Sequence, residues 1–235
     1  MSNLIFLDTE TTGNDTAKDR LCQVCYKTEG GVYSGFFKPP IPMSVKAMSV
    51  THITNKMLAN KEPFQESVMK KELESLLKSK ILVAHNAPFD KAMLEAEGLV
   101  VPRFICTLRL AKHLDVNGII PEYNLQFLRY YYDLDVDAKS HDAEGDVKVL
   151  YAIFNELFSK IKKDGLGDEE AIEKMSEISS KPSLFRRFGF GKYKGKALEE
   201  VVKSDRGYLQ WLLNQKLNDA AFDEDWIYTL QTYLK

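Results

Sequence analysis

Short apolar runs alternate with helical patterns along the first two thirds of the chain. Residues 4–7 and 81–84 are each four apolar residues long, which is too short for a buried helix and typical of a buried strand. Residues 20–27 and 32–37 are also strand-like, and Glu29, Gly30 and Gly31 between them predict a hairpin turn. The chain therefore begins with a strand, a hairpin and a further buried strand.

Apolar residues at helical spacing follow these strands. They predict helices over residues 64–77, 88–97, 107–114, 124–132 and 143–161, with another short strand near 104–106. A hairpin followed by alternating strands and helices predicts an α/β fold, with a mixed β-sheet flanked by helices.

The composition changes after residue 160. Residues 162–167, KKDGLG, are typical of a linker, a short helical pattern covers 168–178, and Ser-Ser-Lys-Pro at 179–182 interrupts it again. The last residues have apolar positions of their own, including Leu198, Trp211 and Trp226. We predict a main domain over 1–163, a linker with a short helix over 164–184, and a small C-terminal α+β module over 185–235.

Composition narrows the class of protein. The 235 residues include 32 Lys and Arg and 34 Asp and Glu, which gives a formal net charge of -2. The protein is not basic overall, so any contact with nucleic acid must come from local basic patches. The N-terminus does not resemble a signal peptide, and no apolar stretch approaches the ~18 residues of a membrane span, so we expect a soluble cytoplasmic protein. Cys22 and Cys25 lie on a strand-like run, where residues three apart face opposite sides, and we expect buried thiols rather than a zinc site.

The first strand runs directly into two carboxylates, Asp8 and Glu10, with no basic residue between them. Residues two apart on a strand point to the same face, so both acids project together from the apolar core. Like charges held this close repel unless something positive lies between them, and a divalent cation with oxygen ligands meets that need. The alternative is a strand end that has reached water. The turn at residues 11–13 would let the backbone approach a ligand closely.

Two more acids are expected beside this pair. Asp146 shares a helical face with Leu150, Ile153 and Leu157, and an ionised carboxylate in an apolar stripe is costly unless it is paired or bound to metal. An ordinary first-turn acid at the positive end of a helix is the alternative. Asp90 lies in the first turn of a predicted helix, where acids are ordinary, but that helix follows a buried strand, so Asp90 also projects from the sheet edge. Four carboxylates suit Mg²⁺ or Mn²⁺ rather than zinc, which prefers nitrogen and sulfur.

His141 lies in a predicted loop just before the Asp146 helix. A histidine in such a place is most often a surface residue or a helix-entry contact. Beside a metal site it is a candidate general base, because an ordinary pKa of about 6.5 lets it take a proton from water at neutral pH.

The segment 181–196 combines basic residues with aromatics and contains no acid. Its members are Lys181, Phe185, Arg186, Arg187, Phe188, Phe190, Lys192, Tyr193, Lys194 and Lys196. Such a mixture suits phosphate contacts and base stacking on a single strand. The alternative is a hairpin whose aromatic residues simply form a core.

Three motifs carry a family resemblance: FLDTETTG at 6–13, HNAPFD at 85–90 and HDAEGD at 141–146. With all three in this order, the chain resembles the DEDDh 3′–5′ exonucleases, which have a ribonuclease-H-like fold. A histidine rather than a tyrosine five residues before Asp146 places it in the histidine branch. Further stretches narrow the resemblance to the exodeoxyribonuclease X branch; they are residues 47–54, 105–114, 181–185, 188–201 and 207–214.

The resemblance implies roles for individual residues. Asp8, Glu10 and Asp146 would hold two Mg²⁺ ions, for which Mn²⁺ would substitute, with Asp90 contributing directly or through water. His141 would deprotonate the attacking water, one ion making hydroxide and the other stabilising the leaving 3′ oxygen. The residues implied near the terminal nucleotide are Thr11, Thr12, Gly13, Ile53, Asn86 and Phe89.

The function expected from these residues is that of a metal-dependent 3′–5′ exodeoxyribonuclease, which releases nucleoside 5′-monophosphates from single- or double-stranded DNA 3′ ends in repair or end processing. A 3′–5′ exoribonuclease or a polymerase proofreading subunit is the alternative among enzymes, because one contact to a 2′-OH decides the sugar. A catalytically idle nucleic-acid-binding module is the alternative from another class.

Overall fold

A mixed β-sheet lies at the centre of the computed structural model, which describes residues 2–138, 143–163, 165–218 and 223–235. Its strands have the order β3-β2-β1-β4-β5. They are β1 Leu4–Thr11, β2 Leu21–Thr28, β3 Gly31–Phe36, β4 Ile81–Ala84 and β5 Phe104–Cys106. The first three pair antiparallel, and β1, β4 and β5 pair parallel. The predicted α/β class with a mixed sheet is confirmed.

The helices of the first 180 residues surround this sheet. They are α1 Val45–Thr51, α2 Asn55–Leu58, α3 Val68–Leu77, α4 Ala87–Ala96, α5 Thr107–Leu114, α6 Leu125–Tyr131, α7 Ala143–Lys162 and α8 Asp168–Ser179. The helix expected over 64–77 is divided, because Ser67 ends a 3₁₀ turn and its hydroxyl then caps α3 by accepting from the Lys70 N–H at 3.1 Å.

β1 contributes buried side chains to two apolar cores, one on each face of the sheet. Leu4 and Phe6 belong to the core that α7 covers, whereas Ile5 and Leu7 belong to the core that α3 and α4 cover. This alternation follows from the two-residue period of a strand, and it explains why all four residues are apolar and buried. Phe6 packs edge-to-face on Phe154 of α7, with ring centroids 5.1 Å apart. This contact fixes β1 to α7 two residues before Asp8.

The thiols behave as the strand pattern predicted. Cys22 and Cys25 are both buried and in no disulfide, and they lie in different apolar clusters on opposite sides of β2. Both pack as small hydrophobic side chains in these clusters. Among the described residues, no helix is both long enough and apolar enough to cross a bilayer.

α8 belongs to the main core, although residues 164–184 were predicted as a linker. Ala171, Ile172 and Met175 are buried in the same cluster as α7. The hydroxyl of Ser179, at the end of α8, accepts a hydrogen bond from the Cys106 N–H at 2.8 Å, which ties the helix to the end of β5. A helix this firmly packed extends the main domain beyond the predicted boundary at 163.

The C-terminal module has its own core. It contains α9 Leu198–Ser204, α10 Arg206–Asn218 and α11 Glu224–Tyr233, and an antiparallel bridge joins Arg187 to Ala197. Among the described residues that bridge is its β-structure, so the predicted α+β module is predominantly helical. Phe188 is buried here, and Phe185 and Tyr193 are partly buried beside it. For these three aromatics the core interpretation is correct.

Buried ion pairs join the module to the main domain. Arg109 of α5 donates to the Ser179 carbonyl at 2.8 Å and pairs with Glu224 at 2.7 Å and Asp225 at 3.1 Å. Lys112 lies 3.4 Å from Asp225, and its ammonium is 4.0 Å from the centroid of the Phe185 ring. The Arg109 side chain is only 5% exposed, so its charge is satisfied by the two carboxylates of the module and the Ser179 carbonyl rather than by water.

Candidate active site

The predicted acids gather at one edge of the sheet. Asp8 and Glu10 lie on the last half of β1, and the register with β2 shifts immediately after Glu10. β4 runs parallel to β1 and ends at Ala84, and Asp90 lies in the first turn of α4, which follows it. The carboxyl ends of two adjacent parallel strands thus bring acids from separate parts of the chain together.

Asp8 is the centre of this group. Burial raises the pKa of its carboxyl well above the ordinary value, and repulsion from Asp90, Glu10 and Asp146 raises it further. The repulsion links all four acids that the sequence singled out. A buried charge is stable only when it is paired, so a bound cation would balance this group.

Glu10 and Asp90 respond in the same way. Burial, followed by repulsion from Asp146, raises the pKa of Glu10 to about 7. Burial raises the pKa of Asp90 to about 7 as well, although its hydrogen bond with Thr9 opposes the rise. The Thr9 hydroxyl donates to the Asp90 carboxylate at 2.8 Å. The sequence motif contains Thr9, but its partnership with Asp90 was not predicted, because the two residues are far apart in the chain.

Asp146 is oriented by a residue that sequence reasoning missed. The Gln126 amide of α6 donates to its carboxylate at 2.9 Å. Asp146 lies in the first turn of α7, and below it Leu150, Ile153 and Leu157 are buried as predicted. Asp146 is therefore both a first-turn helix acid and a member of the carboxylate group.

His141, the proposed general base, lies outside the described residues. The segment before it is held by Arg129, whose guanidinium donates to the Ala138 carbonyl at 3.2 Å and to the Val136 carbonyl. Gln126 and Arg129 are three residues apart on α6 and therefore share one face of the helix. One helix face thus contacts both Asp146 and the chain that leads towards His141.

His85, the first residue of the second motif, has a structural role, because its ring connects three segments of the chain by hydrogen bonds. Its Nε2 donates to the Tyr123 carbonyl at 2.7 Å, and its Nδ1 lies 2.9 Å from the Thr107 hydroxyl. Burial lowers the pKa of His85 to about 4, so the ring is neutral at pH 7. It joins β4 to the start of α5 and to the segment before α6.

The turn after Glu10 is closely packed. The Thr11 hydroxyl donates to the Gly13 carbonyl at 2.6 Å, and the Thr12 hydroxyl donates to Asp19 at 2.7 Å. A Cβ at Gly13 would lie only 2.4 Å from the Asp19 carboxylate. A side chain at Gly13 would therefore displace the Asp19 carboxylate from the Thr12 hydroxyl. The two threonine hydroxyls are occupied within the turn.

The remaining predicted substrate residues divide into two places. Asn86 and Phe89, at the start of α4, line a cavity of about 630 Å³ that Phe185 and Trp226 of the C-terminal segment also line. Asn86 adopts a left-handed conformation, with φ of 65°, and this turn of the backbone sets the direction in which α4 begins. Ile53 is buried with Cys22, Met43 and Leu58. Its role in a nucleotide pocket stays a prediction.

The chemistry of the donors fits a hard divalent cation. The acids supply oxygen atoms alone and repel one another, as ligands for Mg²⁺ or Mn²⁺ do. Within the four described ranges, no three Asp, Glu, His or Cys side chains are arranged as a complete metal-ligand set. Asp90 and Asp146 are directed instead by their hydrogen bonds to Thr9 and Gln126.

Family models match both the main domain and the C-terminal module of the chain. A family model described as Exonuclease matches residues 5–154, and one described as Exodeoxyribonuclease X-like C-terminal matches residues 188–216. The first match contains Asp8, Glu10, Asp90 and Asp146. The second lies within the C-terminal module.

Relatives are found among named proteins and solved structures. Exodeoxyribonuclease 10 of Escherichia coli K12 is 33% identical over 207 residues, which are 86% of this chain and 84% of that protein. A PolC-type DNA polymerase III of Thermotoga maritima is 30% identical over 75% of this chain but only 13% of its own length. A structure of exonuclease X in complex with 5′-overhanging duplex DNA matches with a TM-score of 0.60 and 27% identity, over 75% of this chain and 99% of that one.

Proposed function

Because the chain belongs to the exonuclease family, whose model matches residues 5–154, we propose that it is a metal-dependent 3′–5′ exodeoxyribonuclease. It removes nucleoside 5′-monophosphates from DNA 3′ ends. The proposal extends to this chain the exodeoxyribonuclease activity that the name of its Escherichia coli relative states.

The observation that carries this proposal is the repulsion at Asp8. Burial raises the pKa of its side chain, and repulsion from three other carboxylates raises it further, at the end of two parallel strands. A structural role alone does not account for four acids in mutual repulsion, because each unpaired buried charge destabilises the fold. A reaction on a phosphodiester, which needs cations next to an anionic substrate, accounts for all four.

Asp8, Glu10 and Asp146 would hold two Mg²⁺ ions, or Mn²⁺ in their place, with Asp90 contributing directly or through water. The ions would supply charge for activating water and for stabilising the leaving 3′ oxygen. Gln126 positions Asp146 through its 2.9 Å hydrogen bond, and Thr9 positions Asp90 in the same way.

His141 is proposed as the general base. An imidazole with an ordinary pKa of about 6.5 is largely neutral at pH 7 and accepts a proton from water. The proposal is supported by its position five residues before Asp146. His85 does not compete for this role, because both of its ring nitrogens have partners.

The terminal nucleotide is proposed to lie against Asn86 and Phe89. These residues line the cavity at the start of α4, near Asp90. Thr11, Thr12 and Gly13 are proposed to approach it through their backbone, since the two threonine hydroxyls are occupied within the turn.

Digestion of matched oligonucleotides tests the activity. With Mg²⁺, a 5′-labelled DNA strand is expected to shorten stepwise from its 3′ end, and EDTA or a blocked 3′ end should stop the reaction. Intact DNA in Mg²⁺ would indicate an idle binding module. Faster loss of an RNA strand of the same sequence would indicate an exoribonuclease.

His141→Ala tests the base. We expect kcat to fall by about 10²–10⁴-fold with little change in DNA affinity, because the histidine moves a proton rather than holding the strand. Turnover can be measured under saturating DNA, and affinity by fluorescence anisotropy in EDTA. Equal losses of turnover and affinity would instead assign His141 to binding.

A further inference from the structure

A groove of about 570 Å³ separates the main domain from the C-terminal module. Residues of the segment between α5 and α6, including Gly118 and Tyr123, form one wall. The other wall is formed by the stretch that contains Arg186, Arg187 and Lys194. Its volume lies within the range of pockets that enclose a small organic ligand.

The two walls are locked to each other. The Arg187 Nε donates to the Gly118 carbonyl at 2.9 Å, and a guanidinium N–H donates to the Gly195 carbonyl at 3.1 Å. Gly118 has a φ of 61°, and a Cβ there would lie 3.0 Å from the Cβ of Arg186. The groove is therefore a defined feature of the folded chain rather than a gap between loose parts.

The charge of the groove is positive. Arg187 has carbonyl oxygens as its partners, and within the described ranges no carboxylate pairs with Arg186 or Lys194. The Nε of Arg186 is buried and has no hydrogen-bond partner among the described atoms. Asp115 and Glu122 also line the groove. Asp115 accepts from the Ile119 and Ile120 N–H groups and the Tyr123 hydroxyl, and Glu122 accepts from the Asn124 amide. The basic side chains of the lining outnumber these two acids; they are Lys112, Arg186, Arg187 and Lys194.

Aromatic surface lines the same groove. The Phe190 side chain is 38% exposed and contacts Trp226 edge-to-face, with the ring centroids 5.0 Å apart. Trp226 is stacked in turn on Phe185 at 4.5 Å, which holds the platform in place. An exposed ring next to unpaired cations is the combination that binds single-stranded nucleic acid without reading its sequence.

Hydrogen bonds and a neighbouring cavity connect the walls of the groove to the elements that carry the carboxylates. Tyr123, at the end of its first wall, accepts a hydrogen bond from His85 of the second motif. α6 begins two residues later and carries Gln126, which contacts Asp146. The cavity that Asn86 and Phe89 line is adjacent, because it shares Lys112, Phe185 and Trp226 with the groove.

We propose that this groove binds the single strand of the substrate on the 5′ side of the nucleotide being removed. Phosphates contact Arg186, Arg187 and Lys194, and a base stacks on Phe190. The inference rests on the proposed function, since it supplies a path for the strand that enters that site. It assigns the C-terminal module to substrate retention.

Affinity for oligonucleotides of two lengths tests the groove. Anisotropy in EDTA measures binding of thymidine oligonucleotides of about 3 and about 12 nucleotides, a contrast set by the site sizes of single-strand-binding proteins. Lys194→Glu should weaken binding of the long strand by about tenfold and reduce its salt dependence, because a phosphate contact is lost. Binding of the short strand should not change.

Substitutions of Phe190 form the second part of the binding experiment. Phe190→Ala should weaken binding of the long strand by about five- to tenfold, and Phe190→Tyr should restore it, since both rings stack. Lys71→Glu is the control, because Lys71 is an exposed lysine on α3, which lines no part of the groove. Melting temperatures establish that each variant is folded.

The outcomes separate the two proposals. Wild-type affinity of Lys194→Glu for the long strand, or equal losses for both lengths, would overturn the groove assignment. A loss seen with duplex DNA but not with the single strand would overturn it also. Failure of the wild-type protein to degrade DNA in Mg²⁺ would overturn the proposed function, whereas the binding arms in EDTA are read independently of cleavage.

Discussion

The carboxylates at the end of β1 and the ion pairs between α5 and α11 are both buried groups of charges, but only the second is balanced. Around Asp8, burial and three like charges all raise the pKa. Around Arg109, two carboxylates and a carbonyl satisfy the guanidinium. The balanced group joins two parts of the molecule, whereas the unbalanced group is suited to attract cations. Both groups are buried, so burial does not distinguish them. The charge of the neighbouring side chains does: opposite charges at Arg109 stabilise the fold, whereas like charges at Asp8 suit a site that binds cations.

Asp8→Asn should have the largest effect on activity. We expect cleavage to fall by about a thousandfold or more, because the loss of several kcal/mol of metal-assisted stabilisation corresponds to that factor. The unfolding temperature in EDTA should stay the same or rise, since the substitution removes repulsion. Glu29→Gln, in the exposed β2–β3 turn, is the control and should cleave normally. Substantial cleavage by Asp8→Asn would refute the metal assignment.

Arg109→Ala should have the largest effect on stability. It removes the guanidinium partner of Asp225, which keeps Lys112 as a second partner, so the cost should lie at the lower end for a broken buried pair, about 3 kcal/mol. Urea unfolding followed by tryptophan fluorescence measures the change. Arg103→Ala is the matched control, because the Arg103–Glu173 pair is exposed and should contribute less than about 1 kcal/mol. Equal losses in both variants would contradict the comparison.

The stability of the protein in EDTA should fall as the pH rises. The pKa values of Glu10 and Asp90 are raised to about 7 in the folded chain, against ordinary values of about 4.3 and 3.9. A raised pKa means that stability is fully present below the unfolded value and is lost as the pH approaches the folded one. Differential scanning fluorimetry between about pH 5 and pH 8 should show a drop of several degrees, which Mg²⁺ reverses. A melting temperature that rises over this interval would contradict the charge assignment.

Gly118→Ala should produce the smallest effect. Alanine in a left-handed conformation costs about 1–2 kcal/mol, and the contact with Arg186 adds to it. Gly165→Ala separates the two terms, because Gly165 also has a positive φ, of 84°, but its Cβ would meet no described atom within 4 Å. Chemical denaturation of both variants gives the difference. An identical loss in the two would mean that the junction between loop and module tolerates the methyl group.

The central fold was predictable because its signals are local. β4, β5 and α5 have the bounds that the sequence predicted, since short apolar runs there are bounded by polar residues and α5 has clear helical spacing. α8 was predicted as a helix but not as part of the core. Its apolar residues Ala171, Ile172 and Met175 are few, and a pattern cannot say which surface they cover.

The candidate site was predictable only in part. The acids were found because charge beside a buried strand is conspicuous and because three motifs carry a family resemblance. Gln126 and Thr9 were missed, since their hydrogen bonds to Asp146 and Asp90 join residues that no local pattern relates. The pairing of Arg109 with Glu224 was missed for the same reason, because 115 positions separate them in the chain.

The position of β1 has a consequence for the rates at which the molecule opens. β1 has a hydrogen-bonded neighbour on each side, antiparallel β2 and parallel β4, and helices cover both of its faces. Amide protons in such a strand exchange with solvent only when the whole domain unfolds. The registers pair Phe6 with both neighbours and Asp8 with Cys25 of β2, so we expect the backbone around Phe6, directly before Asp8, to be among the slowest to exchange.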